Sequence, residues 1–294
     1  MNNRENYEGY FIAPWEFGHG KVMVLTGSWE KAYSKIIGSQ KIFALRLSES
    51  AGWKSDDLSF VAELTQLRGI EIYSWKVKDI KPIQDLINIE SIGLQCEFEE
   101  QIDFSVFNNL IDCHLMWRPK CESLFSCTSL KTLNIDKYPY QDFIGLKSLT
   151  LLERLQITSR KLESVKGIEE LAELKILDLF NCPKLSSLHG IENLASFHTL
   201  ELENCKKIDD LNTISNHNQI EKIVLNSCGK IKTLSPIESC KNLKELTFIE
   251  NTVIEDGNLT LFNRLPNLKK MLFANRKHYS HSCEEIKDIL EKRR

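Results

Sequence analysis

Three residues near the end of the chain, His278, His281 and Cys283, have side chains that can bind a transition metal. Imidazole nitrogen and thiolate sulfur are ligands for Zn²⁺, and the H-x-x-H-x-C spacing is compatible with a shared ion. A structural zinc site needs four converging ligands, and the neighbouring sequence offers no evident fourth one. We therefore predict no metal and no cofactor, and a metal-binding or enzymatic role for this cluster is the alternative.

The chain also contains the residue types of hydrolytic enzymes without their local signatures. Seven histidines and many serines are present, but neither G-x-S-x-G nor H-E-x-x-H occurs in the sequence. His217 is expected to be a half-buried turn residue rather than a general base. The sequence therefore predicts no catalytic residues and a protein that is not an enzyme.

Cys182, Cys205 and Cys228 follow one another at intervals of 23 residues. If they occupy equivalent positions on neighbouring strands, they are stacked in a line with a spacing of about 4.8 Å. A line does not converge on a tetrahedral metal ion, so we expect these thiols to be structural. Nine cysteines in a chain without an apparent export signal also favour free thiols over disulfides.

The elements that position these residues follow from a repeated phrase, L-x-x-L-x-L, which is clearest at Leu174, Leu177 and Leu179. Its first position recurs every 20 to 25 residues, and an interval of that length is typical of solenoid repeats. The sequence thus predicts eleven strands. The first positions of the phrase are Ile42, Leu67, Ile89, Leu110, Leu130, Leu152, Leu174, Phe197, Ile220, Leu243 and Leu268.

Within one repeat the apolar residues change their spacing. The last two leucines of the phrase are two residues apart, which is typical of a short strand with one buried face. Apolar residues then recur at every third position, as in Leu185, Leu188 and Ile191, which favours 3₁₀ turns over an α-helix. Because such a return segment follows each strand, consecutive strands should be parallel.

These features resemble the leucine-rich-repeat superfamily over about residues 42–275, and most closely its short-repeat, internalin-like bacterial class. The C-x-x-L/I form of four repeats is similar to the cysteine-containing subclass, with Cys182, Cys205, Cys228 and Asn251 after the strand. The resemblance implies an α/β leucine-rich-repeat solenoid. It would have a curved parallel β-sheet on the concave side, 3₁₀ or turn return segments and a C-terminal capping helix. We expect the side chain after the strand to satisfy backbone groups beneath the turn.

Both ends of such an array need a cap, because an end repeat would expose its core. Residues 1–41 form the predicted N-terminal cap, which is rich in aromatic residues and has a strand-like run at 22–25 and helical spacing at 29–37. Residues 42–276 form the predicted array. In residues 277–294, Ser282 and Glu285 fit a capping box ahead of apolar residues at helical spacing, which predicts a capping helix.

Composition limits the class of partner. A formal net charge of −3 with 27% charged residues gives no basic excess that would favour nucleic acid. No run of about 18 apolar residues indicates a membrane-spanning helix, and no apolar run of signal-peptide length begins the chain. We therefore expect a cytoplasmic monomer that binds neither nucleic acid nor membrane.

The outward-facing strand residues are not fixed by the core, so they are the candidate partner-binding residues. One group combines apolar side chains with carboxylates on neighbouring strands; it comprises Ile176, Asp178, Phe180, Glu201, Glu203 and Val224. Because like charges at sheet spacing repel, this cluster would favour a cationic partner. The alternative is that Arg154, Lys222 and solvent neutralise the carboxylates.

A second group offers aromatic anchors, which often dominate the free energy of an interface. It comprises Tyr73, Trp75, His114, Met116 and Trp117, and Asp136 adds an outward carboxylate. The alternative is that the two tryptophans pack against the loops that follow their strands.

These observations predict a non-catalytic module that binds a protein with a basic surface on its concave face. One form of this function is an inhibitor or immunity protein that neutralises a basic toxin or nuclease. The alternative is an adaptor or regulatory scaffold that links an enzyme to its target, which requires two contact surfaces.

Overall fold

The computed structural model describes residues 4–215 and 217–293. The chain divides into two compact units, Met1–Ile135 and Asp136–Arg294. Both units are built mainly from the same repeat, a short strand followed by a turn and a 3₁₀ return segment. Residues 1–3 of the predicted N-terminal cap and residue 294 of the predicted C-terminal helix lie outside the described residues.

The first unit begins with an antiparallel hairpin and continues as parallel strands. Its elements are β1 (Glu5–Tyr7), β2 (Tyr10–Pro14), β3 (Lys21–Leu25), α1 (Ala32–Ser39), β4 (Ile42–Ser48), β5 (Gly69–Ser74), β6 (Ser91–Cys96), β7 (Asp112–Met116) and β8 (Thr132–Asp136). β1, β2 and β3 pair antiparallel, whereas β3 to β7 pair in parallel and in chain order. The predicted strand-like run at 22–25 is therefore part of β3, and the predicted helix begins at Ala32.

The second unit is a stack of parallel strands closed by a helix. Its elements are β9 (Arg154–Thr158), β10 (Ile176–Phe180), β11 (Thr199–Glu203), β12 (Lys222–Asn226), β13 (Lys230–Ile231), β14 (Glu245–Phe248), β15 (Val253–Ile254), β16 (Lys270–Phe273) and α2 (Cys283–Glu291). β9, β10, β11, β12, β14 and β16 are parallel neighbours in that order, and β13 pairs separately with β15.

The repeat pattern is confirmed in both units. β4 to β12, β14 and β16 are the eleven predicted strands, and the every-third-residue spacing forms 3₁₀ turns. These turns are Glu49–Ala51, Ser59–Glu63, Lys81–Asp85, Phe104–Val106, Glu122–Ser126, Ile144–Leu146, Ile168–Glu170, Ile191–Asn193, Asn212–Ile214, Ser235–Ser239 and Thr260–Arg264. Their apolar residues share the core with the strands; Leu177, Leu179 and Ile191 have no exposed surface.

The predicted C-terminal helix is α2. The Ser282 hydroxyl accepts a hydrogen bond from the Glu285 N–H at 3.2 Å, and the Glu285 carboxylate accepts one from the Ser282 N–H at 2.7 Å. This reciprocal pair is the capping box that the sequence predicted. Ile286 and Leu290 are the buried residues of the helix. No helix in the described residues is long and apolar enough to cross a bilayer.

Polar side chains beneath the turns satisfy backbone carbonyls of the preceding repeat. The thiols of Cys205 and Cys228 each donate to a strand carbonyl at 3.4 Å, as expected for this position. In the next repeat the predicted Asn251 is exposed, and Thr252 has the role instead. The Thr252 hydroxyl donates to the Leu225 carbonyl at 2.5 Å and accepts from the Cys228 N–H at 3.0 Å. The repeat that begins at Leu243 has 25 residues, whereas the preceding one has 23, so its polar position lies one residue further along the chain.

A segment of the predicted N-terminal cap packs on outward strand positions of the first unit, on the face opposite the core. This strap, residues 15–20, is closed by a bond from the Trp15 N–H to the Gly20 carbonyl at 3.0 Å. Trp15 is 4% exposed and packs with Val22, Val24 and Ala44. Its indole lies so close to Gly69 that any added Cβ there would overlap the ring. The sequence predicts that outward strand positions line an accessible concave face, but the strap buries Ala44 and Gly69.

Replacing Thr252 by valine should lower the free energy of unfolding by about 1–3 kcal/mol, because a buried N–H and a buried carbonyl lose their partner. Urea unfolding followed by circular dichroism measures the change. Asn251→Ala is the matched control, and we expect it to stay within about 0.5 kcal/mol of the original chain. Equal effects of the two substitutions would contradict the assignment of the role to Thr252.

Replacing Gly69 by valine should loosen the strap, because the new side chain needs the space of the Trp15 indole, and overpacking typically costs about 1–3 kcal/mol. Hydrogen exchange of residues 15–20 should become faster while exchange in β10 and β11 stays unchanged. The control is Gly38→Ala, since an added Cβ at Gly38 meets no atom within 4 Å. Unchanged hydrogen exchange of the strap would show that the space at Gly69 is not needed to hold the strap in place.

Candidate functional site

The aromatic group predicted from the sequence lies in the first unit, and some of its side chains pack against other residues of this chain. The His114 ring meets the Phe17 ring of the adjacent loop edge-on, with centroids 4.9 Å apart. Tyr73 is half-buried, and its hydroxyl lies across Gly93. Burial, together with the neighbouring Glu71 carboxylate, raises the pKa of Tyr73 above its ordinary value. Both predicted residues therefore contact the first unit's own outer face.

The remaining aromatic positions differ sharply in exposure. Trp75 is 54% exposed, whereas Trp117 is 7% and Met116 4% exposed. The Trp117 ring stacks on Phe125 in the return segment that follows, with centroids 5.3 Å apart. The alternative that the tryptophans pack against the following loops thus holds for Trp117 and not for Trp75. Of this group, Trp75 presents the largest aromatic surface.

The sequence did not predict a polar cluster at outward strand positions of the first unit. Glu71 has a side chain that is 2% exposed, and it accepts a hydrogen bond from Arg46 at 2.6 Å. Asp112 accepts from the Ser91 hydroxyl at 3.1 Å, and burial raises the pKa of its carboxyl. The available signal was the run of small residues at outward positions, such as Gly69, because small residues leave room for a cover.

The outer face of the second unit carries cross-strand ion pairs. Arg154 on β9 donates to Asp178 on β10 at 2.6 Å, and Lys270 on β16 donates to Glu245 on β14 at 2.7 Å. Lys222 on β12 is paired with Glu201 on β11. The Glu201 carboxylate raises the pKa of Lys222 above its ordinary value. Each cation thus lies on a strand next to the carboxylate that it neutralises.

The expected free acidic cluster is therefore largely paired, as the alternative stated. The Asp178 side chain is 1% exposed, so it presents almost no surface to a partner. Burial raises the pKa of Asp178 even though Arg154 opposes this effect. Glu203 is exposed and has no ion pair within the described residues, and Asp136, also without one, is half-buried. Accessible negative charge on this face is concentrated at Glu203.

Partly exposed apolar side chains lie between these ion pairs. Ile176, Phe180 and Val224, all predicted from the sequence, are half-buried, as is Ile249. Leu272 on β16 is 41% exposed. In the strand register it is aligned with Thr247 on β14, which is aligned in turn with Val224 on β12. The second unit thus presents partly exposed apolar side chains interspersed with ion pairs and other polar residues, and we call this surface the open face. Its apolar residues are Ile176, Phe180, Val224, Ile249 and Leu272.

A basic flank lies at the end of the strands in the second unit. It comprises Arg160, Lys161, Lys206 and Lys207, which are exposed and have no carboxylate partner within residues 4–215 and 217–293. Lys184 and Lys230 occupy the repeat positions equivalent to Lys207 but are paired with Glu163 and Glu255. The signal in the sequence was the recurrence of lysine at intervals of 23 residues.

The predicted metal-ligand candidates are used in local contacts. His278 Nε2 lies 2.9 Å from the Ile254 carbonyl, and His281 Nδ1 lies 3.0 Å from the Ser280 hydroxyl. The Cys283 thiol donates to the Met271 carbonyl at 3.7 Å. The described part of the chain holds no group of three or more His, Cys, Asp or Glu side chains able to share a metal ion.

No protein-family model matches the chain, and no curated protein matches it in sequence. Solved structures do match. Internalin InlF of Listeria monocytogenes is 18% identical with a TM-score of 0.62, and the match covers 84% of this chain and 72% of InlF.

Two further structures are similar over most of this chain. The functional domain of InlJ from Listeria monocytogenes, which includes a cysteine ladder, is 15% identical with a TM-score of 0.58 over 90% of this chain and 66% of that one. A leucine-rich-repeat protein of Leptospira interrogans is 18% identical with a TM-score of 0.57 over 85% of this chain and 65% of that one. The chain spans slightly less than two thirds of the length of each of these two proteins.

The repeat length, the parallel strands with 3₁₀ returns and these similarities agree. The chain has the leucine-rich-repeat solenoid fold in the short-repeat form of the bacterial internalins, as its sequence predicted.

Proposed function

We propose that the chain is a non-catalytic module that binds another protein through the open face of its second unit. The observation that carries the proposal is the group of partly exposed apolar side chains at outward positions of β10, β12 and β16 and directly after β14. In the first unit, by contrast, the outward positions Ala44 and Gly69 are buried under the strap. Apolar surface that the fold does not need is the usual mark of an interface.

The chemistry of the open face suits a partner with a matching apolar patch. Burying apolar surface contributes about 25 cal/mol per Å², and an aromatic ring such as that of Phe180 is a typical anchor. The neighbouring ion pairs, including Arg154 with Asp178, are already formed, so binding does not require new pairing of those charges. They orient a partner more than they attract one.

An inhibitor or immunity role is a narrower form of this proposal. It was inferred from a free acidic cluster that would occupy the cationic site of a basic toxin or nuclease. Because Asp178 and Glu201 are paired within the chain, Glu203 is the main carboxylate left to attract such a partner. The open face therefore favours a partner that has an apolar patch and a single cationic group facing Glu203 over a partner that is strongly cationic.

An adaptor role is favoured by a separate observation, the basic flank. Four exposed cations without carboxylate partners form a second surface whose charge is opposite to that of Glu203. Two chemically different surfaces are what a scaffold needs in order to hold two proteins. The flank would engage an acidic partner while the open face holds the first one.

A cytoplasmic location and a monomeric state are parts of the same proposal. All nine cysteines are free thiols, and eight of them are buried. A reducing compartment keeps thiols in this state.

Replacing Phe180 and Val224 together by alanine should weaken capture of the partner, because the open face loses two of its five apolar side chains. We expect a loss of about 2 kcal/mol, or about thirtyfold in Kd, which is typical of anchor residues. The tagged chain is used to isolate partners from its own cells, and Kd is then measured with the purified partner. The matched control is Ile144→Ala with Leu151→Ala, which are exposed apolar residues of the return segment in the same unit. An unchanged Kd for the face variant would place the interface elsewhere.

Reversing two charges of the basic flank, Lys161→Glu with Lys207→Glu, separates the adaptor from the single-partner module. If the chain is an adaptor, this variant should retain only one of the two proteins that the original chain captures. The difference between variant and original chain should be larger at low ionic strength, because the contact is electrostatic. The control, Lys147→Glu with Lys166→Glu, makes the same change in net charge on return segments. If both variants retain the same proteins as the original chain, the flank is a solvated surface and the adaptor role is wrong.

A further inference from the structure

The last strand of the second unit has an open edge. β16 pairs with β14 on one side, and no other strand of the described residues pairs with its other side. An open strand edge presents a row of backbone N–H and C=O groups that can pair with an added strand. Edge strands of this kind are used in proteins that bind extended peptides.

A groove runs between this edge and one side of α2. Its floor is apolar and includes Met271, Leu272 and Leu290, and its cavity volume is about 360 Å³. The Cys283 thiol, which donates to the Met271 carbonyl at 3.7 Å, lies at the start of the helix. Leu272 is 41% exposed although it lies beside the buried Met271 and Phe273. The groove thus combines a backbone template with apolar surface.

The lysines that line the groove favour an acidic occupant. Three lysines and one glutamate line it, namely Lys269, Lys270, Lys287 and Glu291. Lys270 is 2.7 Å from Glu245 and Lys287 is 3.9 Å from Glu291, and both lysines are more than half exposed. Exposed pairs of this kind contribute little, so an incoming carboxylate can replace their partners. A second copy of this chain would bring the same lysines, which disfavours self-pairing through this edge.

We propose that the groove between β16 and α2 binds an extended, acidic segment of a partner protein, which adds to β16 as a further strand. Its main-chain groups pair with β16, its apolar side chains contact Leu272 and Leu290, and its carboxylates meet Lys270 and Lys287. This site shares Leu272 with the open face of the proposed function but uses neither Phe180 nor Val224.

A competing explanation gives the same residues a protective role. Lysines and a covering helix are common devices that keep an edge strand from aggregating. In that case no peptide binds, and replacing Lys270 and Lys287 by glutamine leads to self-association of the chain. The two explanations therefore predict different results for the same variant.

The test uses a fluorescein-labelled eight-residue peptide in which Glu-Thr-Val-Thr occurs twice, so that glutamate and valine share one strand face as Lys270 and Leu272 do on β16. The anisotropy of this peptide is measured with the full chain. We expect saturable binding that weakens with salt, and about tenfold weaker binding to the Lys270→Gln/Lys287→Gln variant. A lysine-for-glutamate peptide should not bind. A peptide N-methylated at alternate residues should also fail, because it cannot donate main-chain hydrogen bonds.

Cys283 provides an independent readout, since it is partly exposed while the other eight cysteines are buried. The acidic peptide should slow modification of Cys283 by a thiol reagent, and Leu272→Glu should abolish this protection. Leu151→Glu, a change of a similarly exposed leucine on a return segment, should not abolish it. The Phe180→Ala/Val224→Ala variant should bind the peptide normally, which keeps the two proposals distinguishable. Absence of binding, equal binding of the N-methylated peptide, or unprotected Cys283 would overturn the proposal.

Discussion

The mutual burial of neighbouring repeats is the interaction on which the rest of the structure depends. Each strand contributes two core side chains, such as Leu177 and Leu179, and each return segment adds apolar residues at every third position. One repeat is too small to cover these side chains, so its stability comes from the repeats on either side. This requirement fixes the strand register, and the register in turn decides which outward residues become neighbours.

The features that follow the regular repeat could be predicted from the sequence, whereas contacts and positions that depart from the repeat could not. The eleven strands, their parallel order and the capping box of α2 each have a local or periodic signal. The strap has only an indirect signal, the small residues at outward positions, because Trp15 meets Gly69 through a contact between distant parts of the chain. Thr252 was missed for a related reason: a longer repeat moves the polar position by one residue, and spacing alone does not show where the extra residue is accommodated.

The outward charges show a similar limit. The sequence named both outcomes for the carboxylates of β10 and β11, a free acidic cluster or neutralisation by Arg154 and Lys222. Choosing between them requires the side-chain conformations, since a cation on an adjacent strand reaches a carboxylate only in some rotamers. In the structure, Arg154 reaches Asp178 at 2.6 Å and the carboxylate is buried beneath it. Burial then raises the pKa of Asp178, so this pair belongs to the fold more than to a binding surface.

The two units use equivalent outward positions in opposite ways, and this contrast carries the functional interpretation. In the first unit, small residues such as Gly69 make room for a covering aromatic side chain, and the face is closed by the chain itself. In the second unit, Ile176 and Val224 occupy such positions and stay partly exposed. Single exposed apolar residues are ordinary on protein surfaces. Several of them on one face, with most of the neighbouring charges already paired, form a surface that another protein can bury at little electrostatic cost.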